Sequence, residues 1–317
     1  MRLALLGTGM IVRELLPVLE SLDISPYALL GTERHREHGE TLARQYRIPH
    51  LFFRYDQLLE SDADTVYVGL PNTLHFEFAK AALLKGKHAI LEKPMVMTPE
   101  EFQELRVLAH AQARILVEAM TLHYLPALRR MKSDLPLLGR IRTVTVNYSQ
   151  YSSRYDAFLR GETAPAFDPA LGGGALMDLN VYNLHALLYL FGPPQTAAYA
   201  PNLQRGVDTS GVLTLDYGGM KAVCIAAKDS QGPNPTLIIG EKGWMELQGP
   251  LSSGPGYRIT LRSGEVILRE FPPVSHRMAP EFQAFQDMVD NARLSRAEEL
   301  LDISGEAVTI LSRIRPY

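Results

Sequence analysis

The stretch that decides the fold is residues 2–12, RLALLGTGMIV. Its first apolar residues predict a buried strand, Gly7 and Gly9 predict a tight turn, and the apolar positions that follow predict an amphipathic helix. A strand, a glycine turn and a helix form the context in which a helix N-terminus binds a pyrophosphate. Val12 occupies the place of the usual third glycine, so the turn alone is also compatible with a plain strand-to-helix connection.

The chain beyond this stretch repeats the alternation of strand and helix. Apolar runs at residues 26–30, 65–70, 88–91 and 115–119 predict further strands, each separated from the next by a helical pattern. This order predicts an α/β Rossmann domain with a doubly wound parallel sheet over residues 1–120. Ligands of such sheets bind at the carboxyl ends of the strands. The candidate cofactor-binding residues at these ends are Gly7, Thr8, Gly9, Met10, Ile11, Glu33, Arg34, Leu70, Pro71, Asn72, His75, Glu92 and Lys93.

The residues after the second strand bear on the choice between NAD and NADP. The Glu33 carboxylate could accept hydrogen bonds from both ribose hydroxyls and repel a 2′-phosphate, which favours NAD. Arg34 and Arg36 point the other way, because a guanidinium can pair with that phosphate. A salt-bridged surface loop is the alternative for all three. We expect NAD or NADP as cofactor, with Glu33 favouring NAD.

The fourth strand runs into Glu92, Lys93 and Pro94. Proline fixes its own φ and biases the preceding residue toward extended geometry, so Lys93 is predicted to be a positioned charge. An ordinary lysine at a solvated strand end is the alternative. Asn72 is likewise either a ligand-facing residue or the N-cap of the helix that follows it. Thr98 and Glu101 have the spacing of a capping box.

The second half, residues 121–317, has a different pattern. Alternating strand candidates separated by glycine turns predict an α+β domain with a large, mostly antiparallel sheet. Between the strands, Gly172–Gly174 leads into a predicted helix over residues 175–191. Asp178 and Tyr182 are four residues apart and are predicted to share one helix face, with His185 three residues further on. A solvated helix face is the alternative.

Composition limits the functional classes. The chain has 317 residues, of which 46% are apolar and 21% charged, with a net charge of −3, so neither nucleic acid nor an anionic membrane is expected as a partner. The single cysteine, Cys224, lies in an apolar run that predicts a buried, inert thiol. No histidine or acidic cluster has metal-ligand spacing, so no metal is expected. The apolar run near Leu3 is too short for a signal peptide or a membrane span, and we expect a cytoplasmic protein.

Together, the glycine turn, PNTLH at 71–75, GKH at 86–88 leading to Glu92–Pro94, and the triple glycine leading to Asp178 and Tyr182 resemble the Gfo/Idh/MocA oxidoreductases. The resemblance implies NAD(P)-dependent hydride transfer at a CH–OH group of a sugar, inositol or related polyol. It also implies homodimers or homotetramers that form through the C-terminal sheet.

Carried over from the family, Lys93, Asp178 and Tyr182 are the candidate catalytic residues, and together with His185 they are the candidate substrate-binding residues. Asp178 matches the aspartate of the family's Asp-x-x-x-His pattern, whereas Tyr182 stands at the histidine position. Glucose-fructose oxidoreductase and the dihydrodiol dehydrogenases resemble the chain in this respect. A second departure is His123, near a position where many members carry arginine, with Leu125 and Pro126 after it in place of a His-Pro pair.

Two proton-transfer assignments follow from these residues. In the first, Tyr182 is the acid/base and a neighbouring Lys93 ammonium favours its phenolate form. In the second, Lys93 carries the proton and Tyr182 only donates a hydrogen bond. In both, Asp178 orients the substrate or the lysine. The alternatives to an enzyme are a non-catalytic NAD(P)-binding sensor and, less favoured by the glycine turn, a sugar-binding module without a cofactor.

Overall fold

The computed structural model describes residues 1–252 and 256–317. The chain divides into two compact units: unit 1 comprises Met1–Ala119 and Ser275–Val308, and unit 2 comprises Met120–Val274 and Thr309–Tyr317. The sequence predicts domains over residues 1–120 and 121–317. The segment Ser275–Val308 belongs to unit 1, whereas the sequence had placed it in the second domain.

Unit 1 alternates strands and helices along its first part. Its elements are β1 Leu3–Leu6, α1 Met10–Ser21, β2 Ala28–Leu30, α2 Arg36–Gln45, β3 His50–Phe52, α3 Tyr55–Leu59, β4 Thr65–Val68, α4 His75–Leu84, β5 His88–Glu92, α5 Pro99–Gln112 and β6 Leu116–Ala119. The strands form one parallel sheet in the order β3-β2-β1-β4-β5-β6. This confirms the doubly wound fold, whose topological switch point lies between β1 and β4.

The core of unit 1 explains why the alternation is readable in the sequence. Strands β1 and β4 are buried at every position because helices cover both faces of the sheet. The predicted capping box is confirmed: Thr98 Oγ1 accepts the Glu101 amide at 3.2 Å, and the Glu101 side chain accepts the Thr98 amide at 3.2 Å. The three-residue strand β3 was not predicted; it is short, and its residues are exposed or only partly buried.

Unit 2 is built on a larger sheet. Its elements are α6 Pro126–Asp134, β7 Ile141–Ser149, α7 Tyr155–Leu159, a π-helix Leu176–Asn180, α8 Val181–Phe191, β8 Thr196–Gln204, β9 Val207–Asp216, β10 Lys221–Ala227, β11 Thr236–Gly240, β12 Gly243–Leu247, β13 Gly256–Leu261 and β14 Val266–Glu270. Helices α9 Ala279–Asp290 and α10 Leu294–Ile314 follow in the chain; α9, and α10 as far as Val308, belong to unit 1.

The eight strands of unit 2 have the order β14-β13-β12-β11-β7-β10-β9-β8. All neighbouring pairs are antiparallel except β7 and β10, which confirms the mostly antiparallel sheet. Strand β8 was not predicted from the sequence; it is an edge strand with no fully buried residue. Among residues 1–252 and 256–317, no helix has the length and apolar character needed to cross a membrane.

Candidate active site

The glycine loop, Gly7–Gly9, follows β1 at the switch point of the parallel sheet. Gly7 has φ +101°, which favours glycine, and its amide donates to Leu30 O at 3.0 Å. A Cβ atom on Gly9 would meet nothing within 4 Å, and Met10, which begins α1, is half exposed. The carbonyl of Thr8 lies 3.2 Å from His38 Nε2. The open backbone at a helix N-terminus therefore fits the pyrophosphate of a dinucleotide.

The missing third glycine has a spatial counterpart on the neighbouring strand. Val12 is fully buried, and a Cβ atom on Gly69 would lie 3.0 Å from Val12 Cγ2 and 3.2 Å from Ile11 Cγ2. Gly69 follows β4, which pairs with β1. In the usual fingerprint, the third glycine permits close packing of helix on strand. Here Gly69 leaves that room on the strand side, which is why the loop tolerates valine.

The residues after β2 form an exposed ion pair. The Arg36 guanidinium donates to both carboxylate oxygens of Glu33, with Nη2–Oε2 and Nη2–Oε1 distances of 2.7 and 2.8 Å. Arg36 also lies over the Phe53 ring, 4.0 Å from its centroid. Arg34 is exposed. The carboxylate that was expected to read the ribose is therefore already partly neutralised by a guanidinium.

The segment after β4 departs from one prediction and buries His75. The predicted N-cap at Asn72 is wrong, because a 3-10 turn over Asn72–Leu74 precedes α4 and neither element has a side-chain cap hydrogen bond. His75 is fully buried: its Nε2 lies 2.9 Å from Leu70 O, and its Nδ1 lies 3.1 Å from Pro94 O and 3.2 Å from Met95 O. The predicted cofactor contact of His75 stays a prediction. The imidazole joins the segment after β4 to the turn after β5.

The Lys93 turn, Glu92–Met95, follows β5. Glu92 accepts a hydrogen bond from the Tyr67 hydroxyl at 2.5 Å and from the Lys93 amide at 3.2 Å, and the Lys93–Pro94 peptide bond is cis. Burial raises the pKa of Glu92, against the lowering effects of the Tyr67 hydrogen bond and the Lys93 charge. Burial and the Glu92 charge raise the pKa of Tyr67. Glu92 thus braces the turn that presents Lys93, which is half-buried at the carboxyl edge of the sheet.

In unit 2, the predicted α-helix over residues 175–191 begins differently. Leu176–Asn180 is a π-helix, and α8 starts only at Val181. A π-turn widens the helix, so residues four apart across it no longer stack as they do in an α-helix, and such turns are frequent at functional sites. Tyr182 is buried, with its ring centroid 5.6 Å from that of Tyr148 at an interplanar angle of 59°. Asp178 keeps about a third of its side chain exposed.

Asp178 forms an ion pair that the sequence did not reveal. Lys228, immediately after β10, places its Nζ 2.7 Å from Asp178 Oδ2 and 2.5 Å from Ala166 O. The same ammonium lies 4.5 Å from the centroid of the Phe167 ring. The Lys228 side chain is only 2% exposed. A buried lysine is rare unless its charge is paired, and here the partner is the predicted catalytic carboxylate.

A buried carboxylate on β9 holds the start of the π-helix in place. Asp208, fully buried on β9, accepts the Leu176 amide at 2.7 Å and the Tyr199 hydroxyl at 2.6 Å on Oδ2. Its Oδ1 lies 2.6 Å from the Tyr317 hydroxyl, which also lies 2.5 Å from Gly173 O. Burial raises the pKa of Asp208 against the lowering effect of the tyrosine hydrogen bonds. This network holds the first turn of the helix that carries Asp178.

His185 lies on α8 and is fully buried. Its Nδ1 is 3.1 Å from Nε2 of His123, which belongs to the 3-10 turn Thr121–Tyr124. The sequence had treated the two histidines separately, and the structure pairs them. This placement indicates a packing and hydrogen-bonding role for His185, and its predicted contact with substrate stays a prediction.

Lys228 could have been found from the sequence, whereas Asp208 could not. Ala222, Cys224 and Ala226 are buried at alternate positions of β10, and period-two alternation places Lys228 on the same inward face. An inward lysine at the end of an apolar strand is a signal for a charged partner. Asp208 gives no such signal, because the pairing of β8 with β9 shifts register beside it.

Two family models match the chain. Residues 1–120 match an oxidoreductase family described as having an NAD-binding Rossmann fold. Residues 136–246 match the GFO/IDH/MocA C-terminal domain. Both units thus contain a segment recognised by the same family.

Several curated proteins are similar over most of the chain. The scyllo-inositol 2-dehydrogenase (NADP(+)) IolU of Bacillus subtilis is 32% identical over 317 residues, which cover 99% of this chain and 96% of that protein. The trans-1,2-dihydrobenzene-1,2-diol dehydrogenase of Danio rerio is 27% identical, covering 78% of this chain and 74% of that protein.

Solved structures share the fold. A 3-ketoreductase from Actinomadura kijaniata in complex with NADP and TDP-benzene superposes with a TM-score of 0.86 at 22% identity, covering 99% of this chain and 97% of that one. An aldose-aldose oxidoreductase from Caulobacter crescentus complexed with glycerol has a TM-score of 0.79 at 25% identity, covering 98% and 97%.

Proposed function

The chain belongs to the Gfo/Idh/MocA family of oxidoreductases, and from this premise we propose that it is an NADP-dependent dehydrogenase of a cyclic polyol or sugar. The homologues support the coarser statement directly: the protein transfers a hydride between a nicotinamide cofactor and a CH–OH group of a sugar, inositol or related polyol. The observation that carries the proposal is the position of Lys93, at the same edge of the unit 1 sheet as the glycine loop.

The residues of unit 1 suit the cofactor. The glycine loop and the first turn of α1 would bind the pyrophosphate, and Glu33 with Arg34 would face the adenosine ribose. Leu70 and the Lys93 turn would lie at the nicotinamide end. When bound, the nicotinamide ring exchanges the hydride with the substrate carbon.

NADP is proposed over NAD because of the ion pair after β2. A free Glu33 carboxylate would repel the 2′-phosphate, but Arg36 binds it through two oxygens and compensates its charge. Arg34 is exposed beside it and could pair with the phosphate. The similar IolU protein carries NADP(+) in its name. This proposal replaces the preference for NAD that Glu33 alone suggested.

The chemical step needs a proton to leave or reach the substrate oxygen as the carbonyl forms or is reduced. We propose Tyr182 as that acid/base, with Lys93 favouring its phenolate form, and Asp178 as the acceptor that orients a substrate hydroxyl. The burial of Tyr182 against Tyr148 supports this assignment, because a buried ring holds its hydroxyl in one direction. In the alternative assignment, Lys93 carries the proton.

A cofactor and substrate panel tests the function. We expect NADPH to bind, observed as a change in its fluorescence, and we expect absorbance at 340 nm to develop with NADP and at least one inositol, aldose or dihydrodiol. A higher kcat/KM with NAD than with NADP would contradict the cofactor proposal. Binding of NADPH without turnover of any substrate would favour the sensor alternative.

Single substitutions separate the two proton-transfer assignments. Tyr182→Phe should lower kcat by at least about 100-fold, in the range typical for loss of a general acid/base, without weakening NADPH binding. Tyr189→Phe, on the same helix, serves as the matched control. Near-normal turnover of Tyr182→Phe would transfer the role to Lys93. Full activity of Lys93→Met would refute both assignments.

We also propose that the unit 2 sheet mediates a homodimer or homotetramer. Its register places one set of side chains on a common outward face, and several of these are large, apolar and exposed: Ile239 39%, Trp244 39%, Val266 51% and Leu268 58%. Several large apolar side chains exposed on one face of a sheet are typical of an interface.

The oligomer proposal is tested by sedimentation velocity. The double substitution Trp244→Glu with Leu268→Glu should shift the protein to monomer. Leu159→Glu changes an exposed leucine on α7, outside the sheet, and should leave the assembly unchanged. A wild-type protein that sediments as a monomer at micromolar concentration would refute the interface.

A further inference from the structure

We propose that Lys228 is a positioning residue of the reaction: it holds the Asp178 carboxylate ionised and oriented toward a substrate hydroxyl. The inference rests on the proposed role of Asp178 in substrate binding. No family motif noted in the sequence includes Lys228, and it lies 50 residues from Asp178 along the chain. The assignment comes from its burial and its contacts alone.

The geometry of Lys228 ties the two ends of the glycine-rich segment together. Ala166 O accepts both the Lys228 ammonium at 2.5 Å and the Gly174 amide at 3.1 Å. Asp178, beyond the glycines, accepts from the same ammonium at 2.7 Å. The chain before Gly172–Gly174 and the carboxylate after it are thus fixed to one point. Because glycines restrict the backbone little, these contacts act together with the Asp208 network in fixing Asp178.

The Lys228–Asp178 pair combines a buried cation with a partly exposed anion. Lys228 is 2% exposed and Asp178 36%, so the cation is enclosed and the anion remains partly open. Removing only one partner of such a pair leaves a poorly solvated charge. An adjacent cation also favours the ionised form of a carboxylate, so that it accepts hydrogen bonds and does not donate them. A polyol hydroxyl needs that acceptor if its own proton is to point at the protein.

Other titratable groups lie on the elements that pack against the π-helix, which are β7, β9, β10 and α8. Those nearest the π-helix along the chain of each element are Tyr148 on β7, Asp208 on β9, Cys224 on β10, and Tyr182 and His185 on α8; Arg142, Asp216, Lys221 and Tyr189 stand toward the other ends of the same elements. Asp208 is engaged by two tyrosine hydroxyls and a backbone amide. Cys224 is buried and its thiol pKa is raised by burial. Lys228 contacts Asp178 directly, with its Nζ 2.7 Å from Oδ2.

The pH dependence of kcat/KM distinguishes positioning from mere packing. In Lys228→Met, Asp178 should protonate at higher pH, so the variant should lose at least about ten-fold more kcat/KM at pH 5.5 than at pH 8, compared with wild type. Lys228→Arg keeps the charge and should retain the wild-type pH profile even if its rate falls. Lys85→Met removes the exposed ion pair with Glu60 and should match wild type within about two-fold at both pH values.

Two results would overturn the proposal. One is a Lys228→Met variant whose activity falls by the same factor at every pH. The other is a Lys228→Arg variant whose profile shifts as much as that of Lys228→Met. Either result would show that the charge of Lys228 does not govern the state of Asp178.

A stability measurement judges the pair independently of activity. Urea unfolding of Lys228→Met should show a deficit that is larger at pH 8 than at pH 5, because an Asp178 carboxylate that has lost this cation can protonate at acid pH. Adding Asp178→Asn should restore part of the stability at pH 8, since the negative charge that Lys228 compensates is then removed as well. Additive effects of the two substitutions, a deficit independent of pH, or a double variant that also fails to fold would refute the pairing. If the wild-type protein turned over no substrate, the proposed function would fail. The unfolding measurements on the two single variants and the double variant would still decide whether Lys228 keeps Asp178 ionised.

Discussion

Replacing Asp208 with alanine removes the carboxylate that anchors the first turn of the π-helix. Three groups lie within hydrogen-bond distance of it: the Leu176 amide, the Tyr199 hydroxyl and the Tyr317 hydroxyl. Tyr317 keeps Gly173 O as an acceptor, so two buried donors lose their partner. At about 1–3 kcal/mol for each unsatisfied donor, less the relief of removing a buried carboxylate, we expect a loss of about 2–4 kcal/mol in the free energy of unfolding.

Asparagine at the same position should behave differently. The Tyr317 hydroxyl has one proton but faces two acceptors, Gly173 O and Asp208 Oδ1, at 2.5 and 2.6 Å. Both contacts are satisfied when Asp208 is protonated and donates to Tyr317, which then donates to Gly173. An asparagine amide supplies that donor permanently, and its carbonyl can still accept from Leu176 and Tyr199. We therefore expect Asp208→Asn to lie within about 1 kcal/mol of wild type at neutral pH.

The raised pKa of Asp208 fixes the direction of the pH effect. Between the unfolded-state pKa of about 4 and the higher folded-state value, the folded protein binds more protons than the unfolded chain. The stability that this proton contributes is present at low pH and is lost as the pH rises through the folded-state pKa. The difference in unfolding free energy between wild type and Asp208→Asn should therefore shift in favour of wild type as the pH falls from 8 to 5.

Urea unfolding followed by circular dichroism at pH 8 and pH 5 provides the measurement. With a denaturant slope of about 2 kcal/mol/M, Asp208→Ala should unfold at a urea concentration lower by about 1 M or more. Tyr199→Phe, which removes one hydroxyl of the network, should lose only about 1 kcal/mol. Equal losses for Asp208→Ala and Asp208→Asn, or a wild-type-to-asparagine difference that does not change with pH, would refute this account of the network.

Three further predictions concern single residues. Burial lowers the pKa of His75 below its ordinary 6.5. The stability that neutral His75 contributes is therefore present above pH 6.5 and is lost as the pH falls. The drop in urea midpoint between pH 7 and pH 5 should be smaller in His75→Gln than in wild type. Gly174→Ala should abolish folding or lower the free energy of unfolding by more than about 3 kcal/mol, because the added Cβ would overlap the Asp208 carboxylate. Gly161 also has a positive φ but faces open space, so Gly161→Ala should lose only about 1–2 kcal/mol. Cys224 is fully buried with a raised thiol pKa, so Ellman's reagent should react with it only after denaturation, and rapid reaction of the folded protein would contradict its placement.

Much of unit 1 is readable in the sequence because its signals are local. Buried parallel strands give continuous apolar runs, and the glycine turn follows the first of them directly. The Thr98–Glu101 capping box depends on residues three apart, and Lys93 stands beside a proline at a strand end. Each of these features is decided by neighbours in the chain, so the Rossmann fold and the edge that carries its ligand site follow from sequence.

The tertiary structure decided what depends on distant partners. The π-turn at Leu176–Asn180 forms where Asp208, 32 residues away, accepts a hydrogen bond from the Leu176 amide. Lys228 contacts Asp178, and Gly69 leaves room for Val12, only because helices pack on strands that are distant from them in the chain. By itself the sequence determined the fold class, the family and the position of Lys93. The partners of Asp178, the brace of Glu92 by Tyr67 and the burial of His75 required the folded chain, since a buried polar group is assigned its partner by packing and not by sequence distance.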